Sequence, residues 1–119
     1  MEYKVERKED GVAIIGLSGR IIGEFQLVPL KEEINELIEE EYFHLIFDLS
    51  ELEFINSSGL SFFLKTLTLV RSHDGEVVLY SLNTVLNDLM VTTKLNSFFL
   101  IEETEAAALD YLKRSGVIS

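Results

Sequence analysis

Asp48-Leu49-Ser50-Glu51-Leu52-Glu53-Phe54-Ile55-Asn56-Ser57-Ser58-Gly59-Leu60 is the one stretch of this sequence with the composition of a site. It follows a nearly continuous apolar run, Phe43-His44-Leu45-Ile46-Phe47. Such a run forms a short strand covered on both faces, here ended by Asp48. After a short extended passage through Phe54-Ile55, three small polar residues open a helix. Its apolar positions Leu60, Phe63, Leu64, Leu67 and Val70 recur at helical intervals between Ser58 and Ser72. A hydroxyl at that helix start can accept from the unpaired amides of the first turn, so the simplest reading of the serines is a cap. The same amides, with the positive end of the helix dipole, stabilise an added anion, so the position also suits a phosphoserine.

Upstream, Tyr3 to Glu9 alternates apolar and charged residues, Glu9-Asp10-Gly11 supplies turn chemistry, and Val12-Ala13-Ile14-Ile15-Gly16-Leu17 follows as a second strand. This is an opening hairpin. Between Glu24 and Glu41, Leu27, Leu30, Ile34, Leu37 and Ile38 follow helical spacing, with Pro29 tolerated in the first turn. The opposite face of that helix carries Glu32, Glu33, Glu36, Glu39 and Glu40 and is taken as a solvated surface. Downstream, Val77-Val78-Leu79-Tyr80 is a strand entered through His73-Asp74-Gly75, and Asn83 caps a helix using Val85, Leu86, Leu89 and Met90. Phe98-Phe99-Leu100-Ile101 is a last short strand, and Thr104 caps a final helix bearing Ala108, Leu109 and Leu112. Strands alternating with helices after a hairpin predict an α/β fold. Its mixed sheet of about five strands is antiparallel at the hairpin, mostly parallel afterwards, and covered by about four helices. With 119 residues and no repeat or linker, the expectation is one domain over 1–119.

Twenty-one acidic against ten basic side chains leave a net charge of −11, which repels phosphate backbones and anionic lipid head groups. Neither nucleic acid nor membrane is expected as a partner. The absence of cysteine excludes disulfides, thiolate metal sites and thiol nucleophiles. The start Met1-Glu2-Tyr3-Lys4-Val5-Glu6 has no basic region leading into an apolar core, and the expected location is the cytoplasm.

No enzyme chemistry assembles from the sequence. His44 lies inside an apolar strand and His73 beside a turn, so structural or solvent roles are favoured over a metal site or a triad. Neither glycine-rich phosphate loop pattern occurs, and Gly16, Gly19 and Gly23 are taken as turn glycines near a strand-to-helix passage. No metal or cofactor is expected. A small α/β enzyme using the hydroxyl of Ser57 or Ser58 at a helix start would need a paired His, Lys or acid, and none can be assigned.

Asn56-Ser57-Ser58-Gly59-Leu60, after Phe47-Asp48-Leu49-Ser50 and Phe54-Ile55, resembles the Asp-Ser-[Ser/Thr]-Gly-Leu signature of the STAS domain family. More narrowly, it is similar to the single-domain anti-sigma factor antagonists, and the order of elements fits from residue 3 to about 114. The resemblance implies a protein-binding switch without catalysis of its own, acting on sigma-factor-dependent transcription. The unphosphorylated antagonist binds an anti-sigma factor that is also a serine kinase, serine phosphorylation breaks the complex, and a serine phosphatase reverses it. Carried over, the phosphoacceptor is Ser57, with Ser58 the second choice. The implied contact surface takes Asn56, Ser57, Ser58, Gly59, Leu60 and Ser61 from the motif. Family geometry adds Ile21, Ile22 and Gly23 from one loop, and Leu82 and Asn83 from another.

Two departures stand out. The family's Asp is Asn56, a neutral group that weakens any role of a carboxylate in proton transfer. A Gly-Glu-Leu-Asp stretch common in the family is here Gly19-Arg20-Ile21-Ile22, which reverses one charge and removes another. Asn56 keeps a second reading open: a STAS module acting as an unphosphorylated scaffold in a signalling or lipid-transport assembly.

Overall fold

The structure, a computed structural model, describes residues 1–116. β1 (Glu2–Arg7) and β2 (Val12–Ile21) pair antiparallel. The turn between them supplies two residues that accept a positive φ, Asp10 at 60° and Gly11 at 70°, as a tight hairpin demands. A 3-10 turn at Glu24–Leu27 leads into α1 (Val28–Glu39), where Pro29 occupies the first turn and no N–H is missed. The chain continues through β3 (His44–Ile55), α2 (Ser57–Arg71), β4 (Glu76–Tyr80), α3 (Thr84–Thr92), β5 (Leu100–Glu102) and α4 (Glu105–Arg114). β2 to β5 are parallel neighbours, so the mixed sheet runs β1-β2-β3-β4-β5.

That order dictates the layers. Right-handed crossovers that always advance in one direction put every crossover helix on one face of the sheet. Leu30, Ile34 and Leu37 of α1, Phe63 and Val70 of α2, and Met90 of α3 accordingly share one core with Ile15, Phe47 and Leu79 of the sheet. Phe47 meets Phe62 and Phe63 edge-on at centroid distances of 6.2 and 5.3 Å, and Phe99 meets Phe63 likewise at 6.5 Å. Each such ring contributes about 1.5–3 kcal/mol by leaving water. α4 follows the last strand and covers the other face, setting Ala108 and Leu112 over Val12, Ile14, Ile46 and Val78. On that face Tyr80 donates to Glu105 at 3.4 Å, and burial followed by the charge of Asp48 pushes its phenol well above the ordinary value.

The sequence expectations hold in outline and need correction at several edges. β3 does not end at Asp48 but continues to Ile55. Alternation is broken there by two bulges. From Gly16↔Asp48 to Ser18↔Glu51, and again from Gly19↔Leu52 to Arg20↔Phe54, β3 advances one residue more than β2. Gly16 and Gly19 lie inside β2 at these irregularities rather than in a turn, Gly19 with φ of 88°. Leu64 and Val85 are exposed, at 37% and 54%, because the packed face of α2 is turned toward Phe62 and Phe63 and that of α3 is set by Leu86 and Met90. The last strand begins at Leu100, Phe98 and Phe99 lying in the bend before it. Glu40, the residue that ends α1, is more than a solvated acid: it receives two hydrogen bonds from Arg7, at 3.1 and 2.9 Å, which hold its carboxyl below the ordinary value.

Candidate functional site

In a parallel sheet the chain leaves every strand at the same end, so the loops that follow β2, β3 and β4 are gathered there. They contain Ile22-Gly23, Asn56 and Ser81-Leu82-Asn83. The structure thus brings together three segments that the sequence spreads from Ile22 to Asn83.

Three neutral carboxamides hold this end in place, each accepting from the backbone and donating to a backbone carbonyl of a strand or of the loop that follows it. Asn56 is the N-cap of α2: Oδ1 accepts from Ser58 N at 2.9 Å and Gly59 N at 3.4 Å, while Nδ2 donates to Ile22 O at 2.9 Å. Its backbone N also donates to Ile21 O at 3.1 Å. Asn83 caps α3 through Leu86 N at 2.8 Å and donates to Leu52 O and Glu53 O at 3.1 and 3.3 Å. Gln26 accepts from Ile22 N at 2.7 Å and Gly23 N at 3.2 Å and donates to Arg20 O at 3.1 Å. A carboxylate could do only the accepting half of each task. The cap of α2 is therefore Asn56, and not a serine hydroxyl as the sequence suggested. Gln26 escaped the sequence reading, although a Gln at the third position of a helical turn is a capping signal.

Ser57 is the first residue of α2 and is exposed; Ser58 and Ser61 are half-buried. Gly59 is buried, and an added Cβ would lie 2.8 Å from Ile55 Cβ and 3.4 Å from Ile21 Cγ2, so the glycine lets α2 seat on the strand ends. Ile21 is fully buried in the core and offers no surface, whereas its neighbour Ile22 is 57% exposed. Gly23 makes room for the Phe25 ring, which lies where its Cβ would be and is 76% exposed. Leu60 and Leu82 are half-buried and Asn83 is exposed. Around this end stand the exposed carboxylates Glu24, Glu51, Glu53 and Glu103, and the Arg20 guanidinium lies over the Phe54 ring at 5.1 Å. A polar concavity of about 570 Å³ is lined by Ser81 to Thr84, Asn87 and Ile101 to Glu103, on the β4–β5 side and away from α2. His44 and His73 lie at the opposite end: His73 stacks on Phe43 at 4.8 Å, and His44 Nδ1 is buried without a hydrogen-bond partner.

Among the described residues no helix is long and apolar enough to cross a membrane. Among solved structures, a Thermotoga maritima protein assigned as an anti-sigma factor antagonist superposes with a TM-score of 0.83 at 20% identity, over 93% of this chain and 94% of that one. The Bacillus cell fate determinant SpoIIAA in its phosphorylated form gives 0.74 at 18% identity, over 93% and 99%. The unphosphorylated form of SpoIIAA, described as an anti-sigma factor antagonist, also gives 0.74 at 18%, over 94% and 98%. At these identities the likeness is one of fold. The family model of the STAS domain matches residues 3–108, a span from β1 into α4 that takes in all three loops of the site, and the chain belongs to the STAS domain family.

Proposed function

We propose that this protein is a cytoplasmic anti-sigma factor antagonist whose Ser57 is the phosphoacceptor of an anti-sigma factor serine kinase. Unphosphorylated, it binds that kinase and frees the sigma factor; phosphorylated, it is released; a serine phosphatase resets it. The observation that carries the reading is the placement of Ser57, exposed at the capped start of α2 and beside the exposed Ile22. A surface docking there covers the acceptor hydroxyl and the loop together. Ser58 is the poorer acceptor because it is half-buried and its amide is already held by Asn56.

In the transfer, a bond forms between Ser57 Oγ and the γ-phosphorus of ATP, the bond to ADP breaks, and the hydroxyl proton leaves to a base. Asn56 is not that base, being neutral with its Oδ1 occupied by Ser58 N and Gly59 N. The base comes from the kinase, and this chain is substrate and regulator without catalysis of its own. The product carries about two additional negative charges at an end already bearing Glu24, Glu51 and Glu53. Desolvating those charges in a contact surface opposes association unless the partner matches them with cations. SpoIIAA superposes on this chain equally well in both of its forms, which supports a fold that tolerates the modification.

The test is incubation with the cognate kinase and ATP, followed by site mapping with tandem mass spectrometry. One phosphoryl group on Ser57, absent from Ser57→Ala, is expected. Phosphate on Ser58 alone, or none with a demonstrably active kinase, overturns the assignment and favours the scaffold reading.

A further inference from the structure

Below the Ser57 end, α1 and α2 part to leave a cleft of about 190 Å³. Its floor is apolar, made by Ile34, Phe62 and Leu69, and its rim carries Lys31 from α1 and Lys65 from α2. Thr66 in the wall adds no polar demand, since its hydroxyl already donates to Phe62 O at 2.8 Å. The cleft is smaller than the ~300 Å³ at which small-molecule pockets begin. It suits a single large apolar side chain presented by a segment lying along the helix seam.

The charges narrow the identity of that segment. Among 21 acidic side chains, Arg7, Lys8, Arg71 and Arg114 each find a carboxylate within 3.9 Å. Lys31 and Lys65, like Lys4, Arg20, Lys94 and Lys113, make no ion pair among the described residues; what sets these two apart is that they line the same cleft. Two cations without an ion pair thus line one apolar-floored cleft from different helices, in a protein of net charge −11. The apolar character also continues past the cleft. Val28 lies three positions before Lys31, on the same stripe of α1, and is 52% exposed.

We propose that the α1–α2 cleft is a docking groove for an acidic amphipathic helix of a partner protein. That helix sets one large apolar side chain on Ile34, Phe62 and Leu69 and directs flanking carboxylates to Lys31 and Lys65, the arrangement by which a helix recognises a groove. Opposite charges fix its register and orientation, while the apolar contact supplies the affinity. The groove is a second contact surface and does not depend on phosphorylation of Ser57.

The probe is a synthetic helical peptide with a leucine and phenylalanine stripe flanked by glutamates, titrated into the isotopically labelled full chain and followed by amide chemical shifts. Saturable shifts at Asn35, Phe62, Lys65 and Leu69 are expected, weakening as salt is raised. The Lys31→Glu, Lys65→Glu double variant, on the surface and checked for folding by circular dichroism, should bind about tenfold or more weakly. It should instead accept a peptide whose glutamates are replaced by lysines. Equal binding of both peptides by the unsubstituted protein, shifts confined to other surfaces, or none at millimolar peptide overturns the proposal. If decanoate alone produces the same shifts at lower concentration, the groove is one for an anionic amphiphile and the proposal fails. If dilution of the protein alone moves these resonances, the occupant is a second copy and the proposal fails equally.

Discussion

Replacing Asn56 by Asp restores the residue of the family signature and tests what the amide does in this chain. The structure gives Asn56 two separable tasks: Oδ1 caps α2 through Ser58 N and Gly59 N, and Nδ2 ties Ile22 O to the helix start. Asp keeps the first task and gains about 0.5 kcal/mol from its charge at the positive end of the helix dipole. It loses the second, a hydrogen bond worth about 1 kcal/mol, and sets a carboxylate oxygen near a carbonyl oxygen. The net expectation for Asn56→Asp is a destabilisation of about 1 kcal/mol. Asn56→Ala loses cap and tie together and should cost about 2 kcal/mol. Urea unfolding of the three proteins measures the ranking, and the amide shifts of Ile22 and Gly23 report the loop. Both should move in Asn56→Asp while Leu67 and Val70, deep in α2, stay still. Equal midpoints for Asp and Ala would show that the cap contributes nothing. An Asp variant as stable as the unsubstituted protein, with Ile22 unmoved, would refute the tie.

Three further outcomes follow from the same geometry. Gly59→Ala should cost about 1–3 kcal/mol in urea unfolding, because its Cβ would meet Ile55 Cβ at 2.8 Å in a packed strand end. Ser57→Ala should change stability by no more than about 0.5 kcal/mol, since Asn56 and not Ser57 is the cap, yet the protein should stay bound to the kinase when ATP is added. Ser57→Asp should instead bind the kinase at least tenfold more weakly, about 1.4 kcal/mol by titration calorimetry, and kinase binding unchanged in both variants would refute the switch. Burial pushes the His44 imidazole below its ordinary value of about 6.5, Glu76 acting weakly the other way. The unfolded chain then binds a proton that the folded one refuses. Stability should be full above pH ~6.5 and fall as the pH drops below it, and His44→Leu should flatten that slope between pH ~7 and ~5.5.

Local chemistry made much of this protein legible from its sequence alone. Asp10-Gly11 declared a hairpin because few other pairs accept two positive φ angles, and helical spacing marked α1 and α2 because one side of each must leave water. Asn83 and Thr104 announced the helices they cap, and Ser57 stood out as a hydroxyl at a helix start. The tertiary structure decided what depends on neighbours distant in the chain. β3 ran seven residues past Asp48 because β2 offered it a partner, through bulges that erase the alternation a single strand would show. Whether Ile21 or Ile22 faces solvent turned on a one-residue step along β2, which no composition reveals. That Asn56 rather than a serine caps α2 depended on the carbonyl of Ile22, thirty-four positions away, lying within reach of its amide. An amide both accepts and donates, and only the fold supplies a second partner to donate to.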